Sequence, residues 1–367
     1  MKTVADIMDA VDRLAPFRAA EAWDNVGLLL GDAAWPARRV LVCLDVSEAV
    51  CREAARRRAG LVLAHHPLLF KDVDRLTIET RHGRLALALL ASRRALIAAH
   101  TNLDGAEGGL CDILAGMVGL GDLEPLRAEP AGKHYKVVVF TPPQVLEAVR
   151  AAAFDAGAGR IGNYAECAFA AEGQGTFRPG DGSKPAVGRR GRRSSVRELR
   201  LEFLADDRRL GGVLAAVARA HPYEEPAVDV YPLHAAPGRT GLGRIGCLVR
   251  PTSAGRFAET LRKALGLRHI ALAGPPGRKV RRVAVVTGAG SGLVDSVLAA
   301  GADAFLTGEL KFHEIEDLAA AGLAVVLGGH YRTERVPLER WAPRLARELK
   351  GVEVRMSRSE REALELK

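Results

Sequence analysis

The stretch GLVLAHHPLLF (residues 60–70) ends an apolar run in two adjacent histidines, His65 and His66, followed by Pro67. Imidazole can carry protons or ligate metals, and two in succession suit a site that needs more than one ligand. Two more polar clusters come directly after apolar runs: HTNLD, with His100 and Asp104, and GGHYRTE, with His330 and Glu334. The i, i+4 spacing of His330 and Glu334 puts both on one helix face, where they could grip one ion. The same pair could equally be an ion pair at a helix start. A lone strand-end histidine is commonly no more than a hydrogen-bonded structural residue. Three such clusters at equivalent places argue for a metal site.

Imidazole and carboxylate without thiolate suit Zn, Mn, Fe, Co or Ni at an open site. Five or more candidate ligands exceed what one tetrahedral zinc with an open position needs. Two divalent ions bridged by a carboxylate are therefore expected, with hydrolysis as the natural chemistry. Glu309 and His313, in LTGELKFHE, are again i and i+4 and could act as proton carriers, or merely belong to a capped surface helix. TGAGSG (residues 287–292) follows an apolar run and could cradle a phosphate on backbone N–H groups. It lacks the full dinucleotide spacing and reads more simply as a tight turn. Asp45 can support a ligand or cap the helix after Ser47, and WDN (residues 23–25) reads as a turn.

The elements that must position these residues follow from periodicity. RVLVCLD, GLVLAHH and ALIAAHTNLD are short apolar strands, separated by the helical stretches EAVCREAARRRA, capped by Ser47, and ETRHGRLALALLASR. That alternation implies a parallel sheet covered on both faces, whose ligands gather at the carboxyl ends of the strands. Adjacent residues on a strand point to opposite faces, so either one histidine of the doublet is incidental or the chain turns there. Pro67 disfavours helix at His66, and successive side chains at a strand end can splay toward two ions about 3.5–4 Å apart. The same grammar returns in RRVAVVTGAG, DAFLTGE and AVVLGGH, before the helical TERVPLERWAPRLAREL.

Between these regions YKVVVFTP and VRELRLEFLA alternate as half-exposed antiparallel strands, with helices in PQVLEAVRAAAFDAG and RRLGGVLAAVARAH. This is the order of a ferredoxin-like α+β unit. EGQGTFRPGDGSKPAVGRRG is read as its long exposed loop. The expectation is an α/β protein with one lobe in residues 1–130 and a similar one in 236–367. A ferredoxin-like domain, 131–235, is inserted between them. At the N-terminus, Val4, Ile7, Met8, Val11 and Leu14 share one face of an amphipathic helix.

Composition narrows the function classes. The chain has 367 residues, 48% hydrophobic and 26% charged, the balance of a soluble globular protein. No apolar run approaches a membrane span, and the acidic residues at positions 6, 9 and 12 do not read as a signal peptide. Five scattered cysteines without a C-x-x-C pair argue against a disulfide framework and for a cytoplasmic setting. The net charge of +9 permits attraction to phosphate-bearing ligands. The one dense basic run, RRGRRSSVRELR, has no interleaved aromatics and reads as a solvated loop rather than a nucleic-acid contact.

Taken in order, EAWDNVGLLLGD, HHPLLF, AAHTNLDGAEGG, TGELKFHE and GGHYRTE resemble the signatures of the NIF-three-like dinuclear metal-centre family. Members of that family are often labelled homologues of GTP cyclohydrolase I type 2. GAGRIGNY, GTFRPG and AHPYEEPAVDVYPL resemble the long bacterial members, which carry an inserted PII-like or CutA-like domain. The resemblance implies a two-metal site of His65, His66, Asp104, His330 and Glu334, with His100 beside it. It also implies a toroidal homohexamer with its metal sites facing an internal cavity. The implied activity is metal-dependent hydrolysis of a nucleotide or related small molecule, such as opening of the guanine imidazole ring of GTP. The alternative is a non-enzymatic hexameric assembly, regulatory or metal-handling, with a ligand-sensing insert.

Overall fold

LVLA (Leu61–Ala64), ALIA (Ala95–Ala98) and AFLT (Ala304–Thr307) are each buried along their whole length, as strands covered on both faces must be. They belong to two sheets in the computed structural model, which describes residues 2–71, 73–130, 134–161, 164–233 and 237–363. With strands numbered in chain order, the first sheet runs β1 (Gly27–Leu30), β4 (Ala95–Ala98), β3 (Leu61–Ala64), β2 (Arg39–Cys43) and β15 (Glu353–Met356). Only β1 is antiparallel to its neighbour. The second sheet runs β11 (Ala271–Ala273), β14 (Ala324–Leu327), β13 (Ala304–Thr307), β12 (Lys279–Val285), β10 (Pro237–Ser253) and β5 (Leu120–Pro130). Its centre, β12 to β14, is parallel.

Each sheet takes one strand from the far half of the chain, β15 into the first and β5 into the second. Residues 1–129 and 239–367 accordingly form one compact unit, and 130–238 the other. The two α/β lobes expected from the sequence are two sheets of a single unit. In the core of the first sheet, Leu338, Trp341 and Leu345 of the helix His330–Glu348 pack with Leu61, Leu63 and Ile97. Burying aliphatic side chains of this kind contributes roughly 1.5–3 kcal/mol each. That packing anchors the helix whose first residue is His330. The N-terminal helix, Val4–Leu14, starts at a Thr3 capping box and buries Val4, Ile7 and Val11.

The second unit has its own sheet, in the order β7 (Ala168–Phe177), β8 (Ser194–Asp206), β6 (His134–Thr141) and β9 (Val228–Pro232), all antiparallel. With the helices Leu146–Asp155 and Asp207–Ala220 it has the ferredoxin-like order of strands and helices. Val137, Val139, Leu201 and Phe203 form its core with Val149, Val213 and Val217 of the helices. One sequence expectation needs correction. Gly173 to Phe177 is strand, paired with Ser194 to Glu198, so the connecting loop spans only residues 178–193. A Cβ at Gly175 would lie 2.0 Å from Glu198 Oε2, so glycine leaves room for that carboxylate to lie over the strand. Among the described residues, no helix is long and apolar enough to cross a membrane.

Candidate metal centre

His65 and His66 leave the end of β3 with their backbone N–H groups still bonded to the carbonyls of Cys43 and Leu44, both at 2.9 Å. The pairing with the neighbouring strand therefore continues through the doublet, and their rings stand 5.1 Å apart, tilted by 44°. His100 follows β4 and precedes the short helix Thr101–Gly105, which carries Asp104. Beyond β14, Gly328 and Gly329 lead to His330, the first residue of its helix, with Glu334 one turn on. All six side chains meet at the carboxyl ends of parallel strands.

Their ligating atoms fall into two overlapping groups, His65–His66–His100 and His66–His330–Glu334. Within each group the atoms lie within 4.8 Å of one another. Glu334 stands at the junction, with Oε1 3.1 Å from His330 Nε2 and 3.8 Å from His65 Nε2, and Oε2 3.0 Å from His66 Nε2. Asp104 Oδ2 lies 3.6 Å from His65 Nε2, while its Oδ1 accepts a 2.7 Å hydrogen bond from Thr287 Oγ1.

Each imidazole is held from behind by its Nδ1. The partners are the Ala99 carbonyl for His65 (2.8 Å), Asp45 for His66 (3.1 Å), Asp24 for His100 (2.9 Å) and Glu309 for His330 (3.0 Å). A carbonyl only accepts, so His65 carries its proton on Nδ1, and the lone pair of Nε2 faces the cluster. That nitrogen is buried and has no hydrogen-bond partner, the nearest carboxylate oxygens lying 3.6 and 3.8 Å away. Bare buried atoms of this kind are costly unless something completes them. Four rings fixed at Nδ1 and converging through Nε2 are the arrangement metal-ligating histidines adopt, so the residues fit a metal ion.

The carboxylates also draw positive charge to the cluster, carried by protons that a bound metal ion would displace. Burial draws His66 toward neutrality, but the carboxylates of Asp45 and Glu334 outweigh it and raise its pKa to about 10. His330 is raised to about 9, chiefly by Glu334. Burial pushes Glu334 up, yet His330 and His66 more than reverse this and hold it well below the usual carboxylate range. His65 is lowered by burial, which keeps its imidazole neutral. Cys111 Sγ lies 3.3 Å from Thr287 Oγ1, and burial raises its thiol to about 11.

The remaining sequence candidates fall elsewhere. Glu309 forms a single β-bridge with Ala289 ahead of the helix Phe312–Ala320, so it shares no helix face with His313. Its carboxylate is turned to His330, whereas His313 is 90% exposed and pairs with Glu316. The TGAGSG turn makes room for ligands. Gly288 has φ +59°, and a Cβ there would fall 2.1 Å from Glu334 Oε1 and 3.1 Å from His330 Nε2. Asp24, read from the sequence as part of a turn, also accepts bonds from Thr101 N (3.0 Å) and Oγ1 (2.6 Å). Its side chain is fully buried. Nothing in its spacing reveals this, because its partners lie 76 and 77 residues away. A cleft of about 360 Å³ opens onto the cluster, with Trp23, His100, Arg127, Thr287 and Glu334 among its walls.

Comparison with known proteins places this geometry. A Bacillus subtilis protein named GTP cyclohydrolase 1 type 2 homolog is 38% identical over 325 residues, 89% of this chain and 87% of its own. A Mycobacterium tuberculosis protein of the same name is 40% identical over 335 residues, 90% of this chain and 88% of its own. The crystal structure of a Bacillus cereus protein related to NIF3 is 35% identical, with a TM-score of 0.79 over 100% of this chain and 99% of that one. A Staphylococcus aureus structure superposes with a TM-score of 0.84 at 27% identity, covering 100% and 99% of the two chains. The family model described as Duf34/NIF3 (NGG1p interacting factor 3) matches residues 2–363, and the chain belongs to that family.

Proposed function

We propose that this chain holds two divalent ions at the strand ends of the two sheets of its first unit and hydrolyses a nucleotide or related phosphate-bearing small molecule there. His65, His100 and Asp104 would hold one ion and His66 with His330 the other, Glu334 reaching both. Nitrogen and carboxylate donors of this kind suit Zn, Fe, Mn, Co or Ni. Such ions supply Lewis acidity and a nucleophilic water at neutral pH. The observation that carries the reading is His65 Nε2, a lone pair buried without a partner at the centre of the cluster.

The rest of the work falls to the chain's own side chains. Asp24, Asp45, Glu309 and the Ala99 carbonyl keep four rings from turning, which preserves the spacing of the donors. Glu309 is exposed enough to pass a proton between His330 and solvent. Trp23, 57% exposed and 5.7 Å from Phe70, offers a ring on which a base can stack. Arg127, paired with Glu21, brings a cation to the same cleft. The names of the curated relatives make GTP the first substrate to try.

The test is turnover of GTP and other nucleotides by protein loaded in turn with each metal. Activity should track metal content and fall about 100-fold or more in Asp104→Ala. Absence of turnover with every metal, or full activity in Asp104→Ala, overturns the reading. A non-enzymatic ring assembly is the second reading. Its support is that Val249 and Phe312 stand 88% and 68% exposed on a single chain, as apolar contacts between copies would. A hexamer in native mass spectrometry is its expected signature, and a monomer would remove it.

A further inference from the structure

The second unit contains a cavity that the metal chemistry does not use. It measures about 410 Å³, within the range that small-molecule sites occupy. The loop 178–193 closes one side and the turn after the helix Asp207–Ala220 closes the other, and both are anchored. Lys184 N donates to Glu224 Oε1 at 2.9 Å, joining loop to turn. Tyr223 N donates to His221 Nδ1 at 3.2 Å, so His221 Nε2 carries the proton and donates to the Phe140 carbonyl at 3.1 Å. The turn is thereby stapled to the end of β6, and the His221 ring packs edge-on against Tyr223, with centroids 4.8 Å apart.

The lining has two characters. Phe140, Phe177 and Tyr223 supply aromatic wall, with the rings of Phe177 and Tyr223 6.5 Å apart. Glu198, Glu224 and Glu225 supply three carboxylates, against Lys184 as the one basic side chain among the described lining residues. The arginines nearest Glu198 on its own strand are engaged elsewhere, Arg197 with Glu172 and Arg200 with Glu202. Glu198 is carried over Gly175, where any other residue would displace it. The Tyr223 hydroxyl is held protonated by burial and by the neighbouring Glu198 charge.

From this lining we infer that the unit formed by residues 130–238 is a binding site for a small organic cation, a protonated amine on a flat apolar body. The aromatic walls take the body and the cation faces both ring and carboxylate, the pairing that recognises ammonium groups. Other ligand classes fit less well. An anion such as a nucleotide phosphate meets a net excess of negative charge. A wholly apolar ligand would strip water from carboxylates without pairing them. A bare metal ion lacks a cage, since among the described residues no three ligating atoms converge here as they do at the strand ends of the first unit.

The test uses the full chain and three probes of one shape: tryptamine (cation), tryptophol (neutral) and indole-3-acetate (anion), titrated by calorimetry. Tryptamine should bind saturably and at least about tenfold more tightly than tryptophol, and indole-3-acetate should be weakest. Added salt should weaken tryptamine more than tryptophol. Glu198→Gln should lower tryptamine affinity about tenfold with no change in metal content, and Glu225→Gln provides the same reading if the first variant does not fold. Equal affinity for the three probes, no binding of tryptamine, or undiminished binding in both variants overturns the assignment.

Discussion

His66 differs from its neighbour in one respect that matters for metal loading. It belongs to both ligand groups, whereas His65 and His100 share only the first and His330 and Glu334 only the second. The doublet can give one histidine to each ion while His66 stays within reach of both groups. His66→Ala is expected to lower total metal content further than His100→Ala. Elemental analysis of the two variants, purified in parallel, reads this directly, and equal losses would contradict it. The residue scale also shows the limits of local reading. The i, i+4 spacing of His330 and Glu334 brought them together because a helix begins at His330. The same spacing failed for Glu309 and His313 because their helix begins only at Phe312.

At the scale of elements, β15 shows how a distant strand is held. Beyond it, Ser357 Oγ (2.7 Å), Arg358 N (2.9 Å) and Ser359 N (3.0 Å) all donate to Glu53 Oε2 on the helix Glu48–Arg56. Arg57 pairs with the other oxygen at 2.7 Å. Burial raises the Glu53 pKa, but these bonds prevail and lower it from 4.5 to about 2. A carboxyl depressed on folding stabilises the native state above its unfolded pKa, and that stability is lost as pH falls through the folded value. The contribution should accordingly be complete above pH 4.5 and disappear toward pH 2. Glu53→Gln should cost about 1–3 kcal/mol at neutral pH and flatten the stability profile across that window. Denaturant titrations at several pH values check both, and an unchanged acid limb would refute the assignment. The strands themselves were legible from their continuous apolar runs. The pairing of β15 with β2 was not, because four alternating residues after a long helix carry no mark of their partner.

On the scale of the molecule, Arg244 ties the two halves of the first unit. It is 2% exposed and donates to the carbonyls of Gly105 (3.1 Å), Ala106 (2.8 Å), Gly241 (2.7 Å) and Gly243 (2.7 Å), and to the Asp112 carboxylate. Three of these acceptors lie in the loop and helix that follow His100 and Asp104. Arg244→Met would strip Asp112 of its cation, leaving it only the Gly108 N–H, and would orphan several carbonyls, at an expected cost of about 3–5 kcal/mol. Thermal unfolding would show a lowered midpoint, and an unchanged one would mean that water replaces the guanidinium.

Read alone, the sequence determined the parts that depend on neighbours a few residues apart. These were the apolar strands, the helix cap at Ser47, the polar residues at strand ends, and the ferredoxin-like order of the middle segment. It also supplied the ligand types, because thiolates were scarce and histidines clustered where parallel sheets present their ends. Only the tertiary structure decided what those residues face. Asp24 behind His100, Ala99 behind His65, Thr287 on Asp104 and the glycine turn beneath Glu334 are contacts between segments far apart along the chain. Such contacts form only once loop closure has been offset by the burial of two sheets, so they leave no periodicity to read. The exchange of β5 and β15 between the sheets has the same origin, and it is what makes one site from both ends of the chain.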